Sequence, residues 1–132
     1  MSESATEAPT RLSIAAGPLV GPVLRRVVGM FAARADLPLD RLDDAVLVAD
    51  GVAARAPAHV AAETVDVALA SRVRAVELRV GPLRAGGGRA LVVEAAVPGV
   101  GNVIEQLADE TAIETDGEHE FLRLRLAYPG SD

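Results

Sequence analysis

The sequence predicts an α+β two-layer sandwich: a mixed, mainly antiparallel sheet with helices on one face. Two stretches in the first half, 19–35 and 39–59, carry apolar residues at helical spacing. In the second half the pattern changes to strict alternation at 65–69, 76–80 and 122–126, the period of half-buried strands. No internal repeat divides the 132 residues, so one layer of helices must cover one face of one sheet. Residues 1–10, small, polar and acidic with a proline, read as a disordered tail, and 11–128 as a single domain.

Arg11 to Ala15 alternates as a short strand that Gly17 and Pro18 end. Val20, Val23, Leu24, Val27, Val28 and Phe31 then form the stripe of an amphipathic helix, with Arg25, Arg26 and Arg34 off it. That helix starts at Pro18 or Pro22, since proline is tolerated in a first turn. Asp36, Leu37 and Pro38 separate it from a second helix starting near Leu39, whose first turns hold Asp40, Asp43 and Asp44 at the positive end of the dipole. Pro57 is expected to end or kink it. Val65–Leu69 and Val76–Val80 read as adjacent antiparallel strands around a turn near Ser71 to Val73. Gly86 to Gly88 form a flexible connection to a short helix over Ala90 to Ala96, and another helix carries Val103, Ile104 and Leu107. A strand at Thr111 to Thr115, an Asp116-Gly117 turn and a strand at Phe121 to Ala127 make the closing hairpin.

Composition removes several classes of function. There is no cysteine, hence neither a disulfide framework nor a thiolate site, and two histidines give zinc or haem chemistry little to work with. Every basic residue is arginine, which excludes a P-loop lysine and Schiff-base chemistry. A net charge of −6 and a pI near 4.9 argue against a nucleic-acid partner, and three aromatics offer no stacking platform. No apolar run reaches membrane-spanning length, so a cytoplasmic, soluble protein is expected.

The second helix organises the rest. From Ala45 to Ala54 every position is apolar except Asp50 and Gly51, so the helix is expected to lie inside the domain with no face left for water. Burying a lone carboxylate costs several kcal/mol, and Arg55, five positions on and roughly 140° round the helix, is a poor partner for Asp50. Asp50 therefore faces a polar cavity or another element. A ligand-binding fold would use such a helix, and a packed core with an acid at its edge looks the same.

Leu42-Asp43-Asp44 entering this helix, His59 at its end, and Gly99-Val100-Gly101 followed by Ile104 and Leu107-Ala108-Asp109-Glu110 resemble motifs of the histidine kinase-like (GHKL) ATPase domain. Within that superfamily the chain is most similar to the anti-sigma factor serine kinases. The resemblance covers about residues 11–127 and implies the Bergerat, or histidine kinase-like ATPase, fold. Anchoring on His59 places Arg55 where the family has its Mg²⁺-holding asparagine and Gly51 where it has the glutamate that activates the attacking hydroxyl. A guanidinium has no lone pair for a metal, and glycine cannot take a proton. Asn102 is the only asparagine, so no small shift restores the ligand, and no acid between Glu77 and Glu94 supplies the family's adenine-reading aspartate.

Phosphoryl transfer is positioning and charge stabilisation, so these losses together leave no useful rate. The resemblance then implies a regulatory protein of the anti-sigma type that binds a sigma factor or an anti-anti-sigma protein and is compatible with a homodimer, with no cofactor and no catalytic residue. Asp50, Arg55, Gly99 and Gly101 are its vestigial pocket. The alternative is an ATP- and Mg²⁺-dependent serine/threonine kinase with a rewired pocket, Arg55 on the phosphates and Asp50 as a displaced base or metal ligand. Arg55 read without a ligand pairs with an acid or reaches solvent, His59 is stabilised by the helix dipole, and His119 is a surface residue.

Overall fold

Period-two alternation commits half the strand residues to one face, and in the computed structural model, which describes residues 9–128, that face is the core. Chain order is β1 (Thr10–Ala15), α1 (Val20–Arg34), α2 (Leu39–His59), β2 (Thr64–Arg72), β3 (Ala75–Leu83), α3 (Gly87–Glu94), β4 (Ala96–Val97), β5 (Gly101–Asn102), α4 (Val103–Leu107), β6 (Glu110–Asp116) and β7 (His119–Ala127). The main sheet runs β1-β2-β3-β7-β6, and the expected mainly antiparallel pairing is antiparallel at every one of its steps. The expected tail, 1–10, falls mostly outside the described residues, but Thr10 already pairs with Leu69.

Val65, Val67, Leu69, Leu78, Val80, Leu122 and Leu124 point from the sheet into one core with Leu24, Val28, Val48 and Val52 of α1 and α2. The opposite face is polar. Glu114 bridges Arg79 and Arg123 at 2.8 and 2.9 Å, and Arg79 stacks 3.9 Å over the Phe121 ring. Helices therefore cover one face and water the other, the two-layer arrangement expected.

Local differences have simple causes. α1 begins at Val20 with Pro22 in its first turn, where the missing N–H would have no helical acceptor anyway. Pro57 does not end α2: it lies in the last turn, and the Val60 N–H closes that turn on the Ala56 carbonyl. The closing hairpin turns on Gly117 and Glu118, because Asp116 still pairs with His119. No helix among the described residues is long and apolar enough to cross a membrane.

Candidate functional site

α2 is buried along most of its length but not all round. Ala45, Val48, Ala49, Gly51, Val52, Ala53 and Ala56 are buried, while Ala54 and Arg55 are exposed. This corrects the expectation of a helix without a wet face. Its buried side meets the sheet, and beyond the sheet α1 on one flank and the α3–α4 segment on the other.

Asp50 lies on the α1 side. Its carboxylate accepts a hydrogen bond from the Arg25 guanidinium, and the two side chains are 34% and 60% exposed. Of the two surroundings open to this acid, the structure has the second element rather than a polar cavity. An ion pair so exposed contributes about 0–1 kcal/mol, so Asp50 is tolerated rather than stored strain.

Gly51, one residue and about 100° further round, faces α3 and α4. A Cβ there would lie 2.6 Å from Val103 Cγ2 and 3.7 Å from Ala95 Cβ. The backbone of α2 thus approaches the following segment as closely as only glycine permits. Val103 and Ala95 are themselves buried, and the Val103 N–H donates to the Ala95 carbonyl at 3.0 Å. The face on which the resemblance would seat a reacting group is occupied by the chain's own packed side chains.

Arg55 and His59 follow Gly51 at successive i+4 positions along the same stripe. Arg55 is exposed, whereas His59 Nε2 lies 2.9 Å from Glu94 Oε1 and ties the end of α2 to the end of α3. Gly99 and Gly101 adopt left-handed φ of 82° and 94° at the tip of the β4–β5 hairpin, which packs on α3 and α4. The four residues expected to form a vestigial pocket each have a separate setting. Asp50 engages α1, Arg55 meets water, and the two glycines shape a hairpin.

Three other polar groups hold this region. Glu120 accepts from the Gly86 N–H at 2.9 Å and the Gly88 N–H at 3.0 Å, one bond to each oxygen. These amides, Gly86 first, hold its carboxyl below the usual value of 4.5. The glycine run expected to be a flexible connection is thus pinned, and α3 begins within it at Gly87. Asn102 caps α4 by accepting from the Ile104 and Glu105 N–H groups, and its Nδ2 donates to the Val92 carbonyl at 2.7 Å. Arg41 donates to the Ala127 and Leu107 carbonyls, to Asp44 and to Asp109, with its side chain only 17% exposed. Asn directly before an apolar helical run was a readable capping signal. Nothing local to Arg41 or Glu120 marks their partners, which lie up to 86 residues away.

A cavity of about 130 Å³ opens elsewhere, on the polar face of the sheet, between Arg11, Ser13, Asp66, Arg79 and Phe121. Asp66 there already accepts from the Ser13 and Thr64 hydroxyls at 2.8 and 2.9 Å. Among the described residues no group of three or more His, Asp or Glu side chains is placed to hold a metal ion.

Beside α2, then, Gly51 meets packed apolar side chains and His59 meets Glu94. No protein-family model matches the chain, and no curated protein matches it in sequence.

Proposed function

We propose that this protein is a cytoplasmic regulator that acts by binding a protein partner, of the anti-sigma type, and performs no nucleotide chemistry. The observation that supports the reading is the contact at Gly51, where Val103 and Ala95 leave no room for the longer side chain of a general base at that position. The sequence resemblance supplies the class of partner, a sigma factor or an anti-anti-sigma protein. A rewired kinase would depend on Asp50, and that carboxylate is engaged by Arg25 of α1, about 100° round the helix from Gly51.

Titration with a fluorescent ATP analogue, with and without Mg²⁺, tests the reading, together with melting in the presence of ATP. A ligand at 100 times its Kd adds about 2.7 kcal/mol of stability, an obvious shift. No saturable signal and an unchanged melting curve are expected. Mg²⁺-dependent binding that Asp50→Ala abolishes would overturn the proposal, as would failure of purified sigma and anti-anti-sigma proteins from the same cell to form a complex with it.

A further inference from the structure

We infer that the outer edge of β6 receives an extended segment of a partner protein, alternating basic and aliphatic residues, as a sixth strand of the main sheet. This rests on the binding-protein reading and names the surface and the chemistry of its partner.

Among the described residues β6 ends the sheet and pairs on one side only, with β7. An edge strand leaves a row of backbone N–H and C=O groups unpaired, and proteins blunt such edges with proline, charged side chains or a bulge. Glu110–Asp116 has no proline and an unbroken register against β7 over all seven residues, so what guards this edge is charge of one sign, Glu110, Glu114 and Asp116, which repels acidic strands and admits a basic one. The opposite edge, β1, is shorter, follows Pro9 and carries Arg11.

The two faces of β6 specify what fits beside it. Glu114 faces the polar side, where it meets Arg79 and Arg123, so Glu110, Ala112 and Asp116 share that side. Thr111, Ile113 and Thr115 face the helix side, where Ile113 lies against Gly88 of α3 and remains 45% exposed. A matching strand needs cations on the polar side and aliphatic side chains on the other. β7 already shows that pattern on the inner side of β6: Arg123 and Arg125 alternate with Leu122, Leu124 and Leu126, and Arg125 sits opposite Glu110. With Glu114 held by Arg79 and Arg123, the outer side offers the exposed Glu110 and Asp116 to a second such strand, by the main-chain addition familiar in peptide recognition.

Charge also selects against a second copy of this chain. Antiparallel self-pairing centred on Ile113 sets Asp116 opposite Glu110 of the copy, centring on Glu114 sets that carboxylate against itself, and parallel in-register pairing opposes every acid to its twin. Like charges directly opposite each other destabilise a strand pair.

The test uses the full chain and a labelled, acetylated and amidated peptide alternating valine and arginine. Saturable binding is expected, weakened by salt, with slowed amide exchange across Glu110–Asp116 and not across Thr10–Ala15. The double variant Glu110→Lys, Asp116→Lys, both exposed positions, is expected to bind about tenfold more weakly, from two cross-strand charge pairs reversed. Its circular dichroism should be unchanged. The same peptide N-methylated at every residue keeps every charge and loses its backbone donors on both edges. Undiminished binding of that peptide would reduce the contact to charge alone and overturn strand addition. No peptide binding, protection at β1 instead of β6, or self-association of the chain that the peptide competes away would each overturn it as well. The nucleotide titration judges the underlying reading separately, so failure of the peptide with no nucleotide bound sinks the edge and leaves that reading standing.

Discussion

Gly51→Ala measures directly whether the face of α2 beneath Val103 is closed. In a helix interior the exchange gains about 1 kcal/mol, because alanine loses less backbone entropy on folding. Here the new methyl would sit 2.6 Å from Val103 Cγ2, which is fully buried and cannot swing into solvent. Forcing a methyl into such packing costs about 1–3 kcal/mol, so the net expectation is a loss of up to about 2 kcal/mol. Removing the obstacle reverses the sign. In a Val103→Ala background the nearest remaining side-chain neighbour is Ala95 Cβ at 3.7 Å, an ordinary contact, and Gly51→Ala should stabilise by about 1 kcal/mol. Urea unfolding of the four proteins of this cycle, with midpoints compared at constant slope, reads the coupling. If Gly51→Ala alone stabilises the protein by the full helix increment, the wall is loose. The contact on which the binding-protein reading depends would then be refuted.

Arg41→Ala should cost about 2–4 kcal/mol in the same assay, since it strips hydrogen bonds from the Ala127 and Leu107 carbonyls and leaves Asp109 without its cation. Arg41→Lys should recover little, because an ammonium cannot reproduce the fork, and a wild-type midpoint for either variant would show the clamp to be idle. Asn102→Ala should lose about 1–2 kcal/mol with the α4 cap, and Asn102→Asp should fall between, keeping the acceptor while losing the Nδ2 donor to Val92. Acid should weaken the fold in a defined sense. Glu114, held low first by its hydrogen bond to Arg79 and then by Arg123 against the opposing effect of burial, and Glu120, held low by the Gly86 and Gly88 amides, both have depressed values in the folded state. Their contribution is present above the usual 4.5 and is lost as pH falls through the folded-state values. Glu120→Gln should therefore show a shallower decline in unfolding midpoint between neutral pH and about pH 3 than the wild type, and an identical decline would refute this assignment.

The sheet was legible because alternation is a local signal: Val65, Val67 and Leu69, or Leu122, Leu124 and Leu126, declare their face without reference to anything distant. α2 was legible as a helix but not in its surroundings. Alanine and glycine count as apolar in a sequence, yet Ala54 is exposed and Gly51 is there for its missing side chain, which only the position of Val103 explains. For Asp50 the sequence left a polar cavity and a neighbouring element equally open, because Arg25 lies on another helix at an angle the sequence does not encode. Gly86 to Gly88 looked loose for the same reason: what pins them, Glu120, is 32–34 residues away.

β7, the last strand among the described residues, takes an interior place between β3 and β6. Until those closing residues leave the ribosome, β3 has a bare flank, the Arg41 fork lacks the Ala127 carbonyl, and the glycine turn before α3 lacks its carboxylate. The nascent chain must hold its aliphatic strands and paired helices half-assembled for the seconds that synthesis takes, and then lock all at once. Deleting His119–Ala127 would forfeit far more than the residues it removes.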